Sequence, residues 1–285
     1  MISTPPMSSS SDNPTFRFRV ASQLSRSALH APLRWLAGQF ERYMDVANNY
    51  NNCNFALNGE GAFVARGAPH WRVALDLGAN QGDWTLSVLA ANPRCRVHCF
   101  EPSPRTARML REALAGRDGA VVHNVGVGER EATLKFNEYG EGSVLSSFVS
   151  REGSVGILPE RVIDVPVVSL DAFLDQQNIA AVDYAKIDTE GYEMPILRGA
   201  RASLESRRIR CMQFEYGGAW LDSGESIRNA GQLLQGIGWK LYRMLPEGVL
   251  PVHYDHRRDE NFKYANFVAT GDDAVLGEWG VRVLG

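Results

Sequence analysis

The segment from Trp71 to Pro104 constrains the fold more than any other part of the chain. Its apolar run from Val73 to Leu75 is too short for a helix and is typical of a buried parallel strand. Gly78 and Gly82 bracket a tight turn, which an apolar helical stretch follows. A second strand is predicted from Arg96 to Phe100. Strand, glycine turn, helix and strand in this order predict an α/β fold.

Each of these two strands ends at an acidic residue, Asp76 and Glu101. In an open α/β sheet, ligands bind beyond the carboxyl ends of the strands, where an acid accepts hydrogen bonds from ribose hydroxyls. A dinucleotide fingerprint would read G-x-G-x-x-G, but this turn has only its two outer glycines, Gly78 and Gly82. The pattern therefore predicts a nucleoside pocket with less provision for a pyrophosphate.

Length, charge and cysteine content narrow the class of protein. A chain of 285 residues can form one large domain or two small ones. A net charge of −3 gives no electrostatic case for a nucleic-acid partner. No apolar run reaches the roughly 20 residues of a transmembrane helix and no signal-peptide core is present, so we expect a cytoplasmic protein. The four cysteines form no C-x-x-C pair and are interpreted as reduced core residues.

Composition divides the chain into a tail, a helical segment and a main domain. Residues 1–15 are rich in Ser, Pro and Asn, which predicts a disordered tail. Residues 16–50 carry two amphipathic helical patterns, the first of them basic, and are interpreted as an N-terminal helical cap. Contact with a membrane surface, with a partner or with a second copy of the chain stays open for these helices. A hairpin-like stretch that contains Glu60 precedes the central strand.

The second half of the chain continues the alternation of strands and helices. A strand from Tyr184 to Ile187 ends at Asp188, and the next, from Arg208 to Phe214, ends at Glu215. The last strand, within 261–270, is expected to be antiparallel. The fold class predicted from this order is a doubly wound, Rossmann-like, mostly parallel seven-stranded sheet with an antiparallel last strand, plus the helical cap.

A long Gly/Ser-rich connection crosses residues 139–161. Connections of this length within a compact domain tend to be functional lids or mobile loops. Ser143, Ser146 and Ser147 either contact an acceptor hydroxyl or are ordinary residues of a flexible loop, and the second interpretation is preferred.

The motifs in the order D-L-G-A-N-x-G, F-E-P-S-P, S-L-D-A-F-L, K-I-D-T-E-G-Y-E-M-P-I-L-R-G-A and Q-F-E resemble those of the FkbM family of S-adenosylmethionine (SAM) dependent methyltransferases. They cover Leu75 to Glu215, about half the chain. The resemblance implies a class I methyltransferase domain over residues 51–285, with SAM as cofactor and S-adenosylhomocysteine (SAH) as product. It also implies O-methylation of a hydroxyl on a sugar, a glycan or a polyketide-type natural product.

The resemblance further implies which residues hold the cofactor. The glycine turn surrounds the methionine and ribose parts, Glu101 takes the ribose hydroxyls, and the end of the third strand faces the adenine. Glu60 either reaches the amino group of the cofactor or sits in an exposed turn. The expected cofactor residues are Glu60, Asp76, Gly78, Asn80, Gly82, Glu101, Pro102, Asn124 and Val125.

Methyl transfer to an alcohol needs alignment and a group that takes up the proton or stabilises the alkoxide. Asp188 and Glu190, just past one strand end, are the catalytic candidates, with either as general base. Alternatively, Asp188, Glu190 and Glu215 gather a Mg²⁺ ion that acidifies the hydroxyl. The metal-free mechanism is preferred. Lys186 is interpreted as a structural ion-pair partner of Asp188.

Two other function classes remain in competition. An NAD(P)-dependent Rossmann oxidoreductase would use a similar first half, but the missing middle glycine disfavours it. A non-catalytic nucleoside-binding module would keep the fold as a scaffold, but it would have no need of the acids Asp76, Glu101, Asp188 and Glu190.

Overall fold

The computed structural model describes residues 14–285. Within them the strands are β1 Val73–Leu77, β2 Arg96–Phe100, β3 Ala120–His123, β4 Gly126–Gly128, β5 Ala132–Glu138, β6 Arg161–Ser169, β7 Val182–Ile187, β8 Ile209–Tyr216, β9 Lys240–Leu245, β10 Gly248–Pro251 and β11 Ala265–Thr270. The helices are α1 Pro14–Ser25, α2 His30–Ala47, α3 Glu60–Gly67, α4 Asp83–Ala91, α5 Pro104–Ala113, α6 Glu152–Val155, α7 Leu170–Gln176, α8 Glu193–Gly199, α9 Arg201–Glu205, α10 Gly218–Ser223, α11 Ile227–Gly236, α12 His256–Asp259 and α13 Ala274–Glu278.

The main sheet has the strand order β10-β9-β11-β8-β7-β1-β2-β3. Strands β8, β7, β1, β2 and β3 are parallel, and β11 is antiparallel to both of its neighbours. The chain runs from β1 through β2 to β3, and returns to the other side of β1 with β7. In α/β sheets a reversal of this kind opens a crevice at the carboxyl ends of the strands, where ligands bind.

Side chains from the central strands alternate between two buried clusters, one on each face of the sheet. In β7, Tyr184 packs on one face, with its ring 4.5 Å from that of Trp71, and Ala185 and Ile187 pack on the other. This alternation is the period of a strand, and burial on both faces explains why β1 and β7 read as apolar runs.

The predicted fold class is confirmed, with one strand more than expected. The additional strand, β10, pairs antiparallel with β9 at the edge of the sheet. It has four residues and ends in Pro251, a residue that strand edges tolerate and that lowers the sequence signal for a strand. A separate three-stranded sheet, β4-β6-β5, lies between β3 and α7 in the chain.

The chain divides into two compact units, Met1–Asn48 and Asn49–Gly285. In the first unit, α1 and α2 bear out the predicted helices, although α1 begins at Pro14, and α2 has no buried residue. The predicted disordered tail covers residues 1–15, and of these, residues 1–13 lie outside the described part of the chain. A capping role for residues 16–50 stays a prediction. Across the described residues no helix combines the length and the apolarity needed to cross a membrane.

Candidate active site

A cavity of about 510 Å³ lies in the second unit, at the carboxyl ends of β1, β2, β3, β7 and β8. This volume is in the range of small-molecule sites. One end of the cavity, here called the cofactor end, is formed by the glycine turn, Glu101, Pro102 and Val125. The other, here called the acceptor end, is formed by Phe55, Tyr264 and the acids Asp188, Glu190 and Glu215. Glu60 lines the cavity as well.

The glycine turn has the backbone conformation that its sequence predicts. Gly78 has φ +82°, and a Cβ atom there would lie 1.8 Å from the carbonyl oxygen of Asp188. The N–H groups of Gly78 and Ala79 donate to the carbonyl of Phe100 at 3.0 and 2.9 Å, which ties the turn to the end of β2. Only glycine fits at Gly78, because both the space and the positive φ exclude a side chain.

Glu101 is a buried carboxylate held by backbone groups. Its Oε1 accepts from the N–H of Ser103 at 2.9 Å, and its Oε2 accepts from the N–H of Asn80 at 3.1 Å. Burial raises the pKa of Glu101 to about 7, although these two hydrogen bonds act in the opposite direction. Glu101 is thus half ionised near neutral pH.

Three of the nine predicted cofactor residues do not line the cavity. Asp76 is fully buried behind the glycine turn and accepts from the hydroxyl of Thr85 at 2.7 Å. Asn124 donates its amide to the carbonyls of Glu101 and Pro102 at 2.8 and 3.0 Å. Gly82 caps the start of α4 and has φ +91°. The six that line the cavity are Glu60, Gly78, Asn80, Glu101, Pro102 and Val125.

Glu60 lies at the start of a helix, α3, so the predicted hairpin-like stretch is wrong. Gly59 turns the chain with φ +101°, and Glu60 follows it as the first helical residue, where the helix dipole favours an acid. The Glu60 carboxylate accepts from Asn58 Nδ2 at 2.9 Å and from Gln213 Nε2 at 2.6 Å. Glu60 is therefore buried and fixed at the cavity wall, and the exposed-turn alternative is excluded.

The acids of the acceptor end are close together, and two of them have a cation of their own. One carboxylate oxygen each from Asp188, Glu190 and Glu215 lies within 4.8 Å of the others. Lys186 Nζ donates to Asp188 Oδ2 at 2.8 Å, which bears out the expected ion pair. Arg151 Nη1 donates to Glu190 Oε2 at 2.6 Å.

The pKa values of the three acids differ because their partners differ. Burial opposes ionisation of Asp188, but Lys186 and a hydrogen bond with Glu215 together lower its pKa. Burial and the charge of Asp188 raise the pKa of Glu190 to about 7, against the pull of Arg151. Burial, followed by the charges of Asp188 and Glu190, raises the pKa of Glu215 well above its usual range. A protonated Glu215 beside an ionised Asp188 accounts for the hydrogen bond between two carboxyl groups.

The turn that carries Asp188 and Glu190 is fixed from the helix that follows it. Glu193, in the first turn of α8, accepts at Oε1 from the N–H groups of Thr189 and Gly191 at 2.9 and 3.3 Å. Glu190 itself has φ +54°, a conformation that is rare for a residue with a side chain. Strained backbone of this kind persists where the surroundings hold it in place, often at functional sites.

Residues 139–151, within the long Gly/Ser-rich connection, cover the cavity and are here called the roof. Four residues of the roof line the cavity: Ser143, Val144, Ser146 and Phe148. The sequence indicated a functional loop here, but it gave no signal for Arg151, whose partner Glu190 is 39 residues away. Phe55 and Tyr264 were also missed, because an isolated aromatic residue is most often part of a core.

Comparison with known proteins gives the class of the chain. Its residues 76–243 match the methyltransferase FkbM domain. The 2-O-methyltransferase NoeI of Sinorhizobium fredii is 25% identical over 190 residues, which are 62% of this chain and 76% of NoeI. Methyltransferase 1 of Beauveria bassiana is 28% identical over 141 residues, 44% of this chain and 57% of that protein.

A solved methyltransferase FkbM from Methylobacillus flagellatus has a TM-score of 0.42 and 17% sequence identity, covering 69% of this chain and 43% of that one. The family match and the strand order of the sheet define the chain as a Rossmann-like methyltransferase, which agrees with a nucleoside-sized pocket at the switch point of its sheet. It belongs to the FkbM methyltransferase family, as its motifs predicted. Family membership supports methyl transfer over the hydride transfer of the oxidoreductase alternative.

Proposed function

We propose that this chain is a SAM-dependent O-methyltransferase that acts on a hydroxyl of a sugar, a glycan or a polyketide-type natural product. The observation that carries the proposal is the pair of carboxylates at the acceptor end, Asp188 with Lys186 and Glu190 with Arg151. Carboxylates accept protons and hydrogen bonds, which is what a hydroxyl acceptor requires. Similarity to NoeI, whose name specifies a 2-O-methyltransferase, supports oxygen as the methylated atom.

The cofactor end fits the nucleoside part of SAM. Glu101 offers a carboxylate to the ribose hydroxyls, and the buried Oδ1 of Asn80 has no hydrogen-bond partner among the described residues. Glu60 would receive the amino group of the methionine part, since each of its oxygens retains a second lone pair. Asp76, Gly82 and Asn124 would shape the turn and the strand ends from behind.

The acceptor end can hold a hydroxyl and remove its proton. SAM, when bound, supplies an electrophilic methyl group. Glu190 would take the hydroxyl proton at Oε1, since Oε2 is engaged by Arg151. A pKa of about 7 suits a general base at neutral pH. Asp188, kept ionised by Lys186, would orient the same hydroxyl by accepting a hydrogen bond.

The donor set also bears on the alternative with Mg²⁺. Three carboxylate oxygens within 4.8 Å of one another have the spacing of a divalent-cation site. However, Lys186 and Arg151 already balance Asp188 and Glu190, and Glu215 shares a hydrogen bond with Asp188. A cation would compete with these groups, so we propose that the reaction proceeds without a metal. Turnover in EDTA should equal turnover in Mg²⁺.

Calorimetric titration with SAH and, separately, with NAD⁺ tests the cofactor assignment, each with and without Mg²⁺. We expect SAH to bind, with an affinity that Mg²⁺ does not change, and NAD⁺ to give no heat of binding. Binding of NAD⁺ instead of SAH would contradict the assignment of the cofactor end.

An acceptor screen tests the reaction itself. Transfer of a labelled methyl group from SAM is measured with a panel of neutral methyl glycosides and their 2-deoxy counterparts. We expect at least one glycoside to gain a methyl group on oxygen, and a 2-deoxy analogue to lose the reaction if the enzyme acts at the 2-position. Methylation of a nitrogen or carbon nucleophile, with no reaction of hydroxyl acceptors, would contradict O-methylation.

A further inference from the structure

We propose that Arg151 is a positioning residue for methyl transfer: from the roof, it fixes the carboxylate of Glu190 so that one oxygen is presented to the acceptor hydroxyl. The proposal rests on the proposed function, because it assigns a role to Arg151 through Glu190. It also makes the roof part of the acceptor end instead of a passive cover.

The first support is the way in which Arg151 is held. Its guanidinium is buried, with Nη1 2.6 Å from Glu190 Oε2 and Nε 3.4 Å from Asp222 Oδ2 in α10. Its backbone N–H donates to the hydroxyl of Tyr139 at 2.8 Å. A planar guanidinium between two carboxylates has a fixed direction, which the flexible ammonium of a lysine would not provide.

The second support is the backbone of Glu190. Its left-handed conformation, with φ +54°, needs outside contacts to persist. Ser147 Oγ, also in the roof, lies 3.0 Å from the carbonyl of Thr189 and 2.9 Å from that of Glu190. The roof therefore contacts both the main chain and the side chain of Glu190.

The third support is the selectivity of the contact. Arg151 engages Oε2 of Glu190, and among the described residues no hydrogen bond engages Oε1. Glu190 lines the cavity, whereas Arg151 does not. Arg151 therefore reaches the acceptor end through its contact with Glu190.

A double-mutant cycle between Arg151→Met and Glu190→Gln tests this role. The probe is the methyl glycoside with the highest turnover in the acceptor screen, measured at saturating SAM. We expect Arg151→Met to lower kcat by roughly 100-fold, because a misplaced reacting group costs about that much, and to leave SAH affinity within about twofold. In the Glu190→Gln background, Arg151→Met should lower kcat by less than about threefold, because the carboxylate that Arg151 positions is already lost.

Two further variants separate positioning from folding. Arg105→Met is the matched control, because Arg105 also forms an ion pair with a roof residue, Glu141, but has no contact with Glu190. It should leave kcat unchanged. Arg151→Lys keeps the charge if Arg151→Met fails to fold, and it should lower kcat while thermal unfolding stays near that of the wild type.

The outcomes distinguish the two proposals. If the wild type is active and Arg151→Met lowers kcat by the same factor with and without Glu190→Gln, the positioning role alone is overturned. An unchanged kcat in Arg151→Met would also overturn it. Where Arg151→Met does not fold, an unchanged kcat in Arg151→Lys has the same meaning. If the wild type binds SAH but methylates none of the glycosides, the carbohydrate acceptors of the proposed function are excluded, and the positioning role toward a glycoside hydroxyl fails with them. Loss of SAH affinity in the folded Arg151 variant would show a general structural role instead.

Discussion

The two ends of the cavity hold their carboxylates in different ways. At the cofactor end, Glu101 is held by two backbone N–H groups, and no salt bridge to it occurs among the described residues. At the acceptor end, Asp188 and Glu190 each have a cation within 2.8 Å. Backbone N–H groups direct the Glu101 carboxylate without supplying a full counter-charge, whereas Lys186 lowers the pKa of Asp188 and Arg151 opposes the rise in the pKa of Glu190 that burial causes.

The difference matches the two tasks that we propose. A group that receives neutral ribose hydroxyls needs direction, and a fixed turn of backbone provides it. A group that takes or orients a proton needs a counter-ion close by, which Lys186 provides for Asp188 from a strand and Arg151 provides for Glu190 from the roof. Four predictions test this comparison, starting with the largest expected effect.

Replacing Asp188 with Asn should lower turnover by about 100-fold and leave SAH affinity nearly unchanged. The change leaves the ammonium of Lys186 without its closest counter-ion and removes the charged acceptor that orients the hydroxyl, and a misplaced reacting group costs about this much. The measurement is methyl transfer to the glycoside probe together with SAH calorimetry. Asp164→Asn, at an exposed ion pair with Lys135, is the control and should have no effect. Normal turnover would remove Asp188 from the chemistry.

Replacing Glu101 with Ala should weaken SAH binding by about 1–3 kcal/mol, because a hydrogen-bond acceptor for the ribose is lost. Turnover at saturating SAM should fall much less than in the Asp188 variant. Calorimetric titration gives the affinity, with Glu278→Gln as an exposed control. An unchanged affinity would refute the ribose assignment and, with it, the contrast between the two ends.

The sequence could predict those parts of the fold and of the candidate site that depend on neighbouring residues in the chain. Gly78, Glu101 and Asp188 lie at local features, a tight turn and the residue just past the end of a strand, and such features are visible in short motifs. The main strands of the sheet could be predicted from apolar runs, because these are also local features of the sequence. The burial of Asp76 outside the cavity lining was not visible in the sequence, because a motif fixes a position in the chain and not the direction of a side chain. Its contact with the cofactor stays a prediction.

Long-range partners were beyond the sequence. Arg151 reaches Glu190 from a loop whose composition predicts only flexibility, and Gln213 reaches Glu60 across 153 positions. Helix α3 was missed because its eight residues include two glycines, Gly61 and Gly67, which suggested turns. Contact with Phe55 allows Gly61 and nothing larger without a shift, so tertiary packing and not helix propensity selects this residue.

The pH dependence of stability should differ between the wild type and Glu101→Gln. The pKa of Glu101 rises from 4.5 in the unfolded chain to about 7 in the folded state. Between these values the folded state binds more protons, so the free energy of unfolding falls as pH rises through this window. Relative to Glu101→Gln, which does not titrate there, the wild type should lose about 2 kcal/mol from pH 5 to pH 8. Denaturant unfolding at both pH values measures this loss, and an equal change in the free energy of unfolding of the two proteins would contradict the raised pKa of Glu101.

The pH dependence of SAH binding should show the smallest of the four effects. Ribose hydroxyls donate to the ionised form of Glu101, and in the free protein the pKa of Glu101 is about 7. Binding therefore requires loss of a proton below this pH, so affinity should fall by about tenfold from pH 8 to pH 6, which corresponds to about 1.4 kcal/mol. Calorimetry at several pH values measures it, with Glu101→Gln as the variant that binds more weakly but without this dependence. If the variant keeps the same pH profile, another group titrates on binding, and backbone N–H groups alone are then enough to keep Glu101 ionised at the cofactor end.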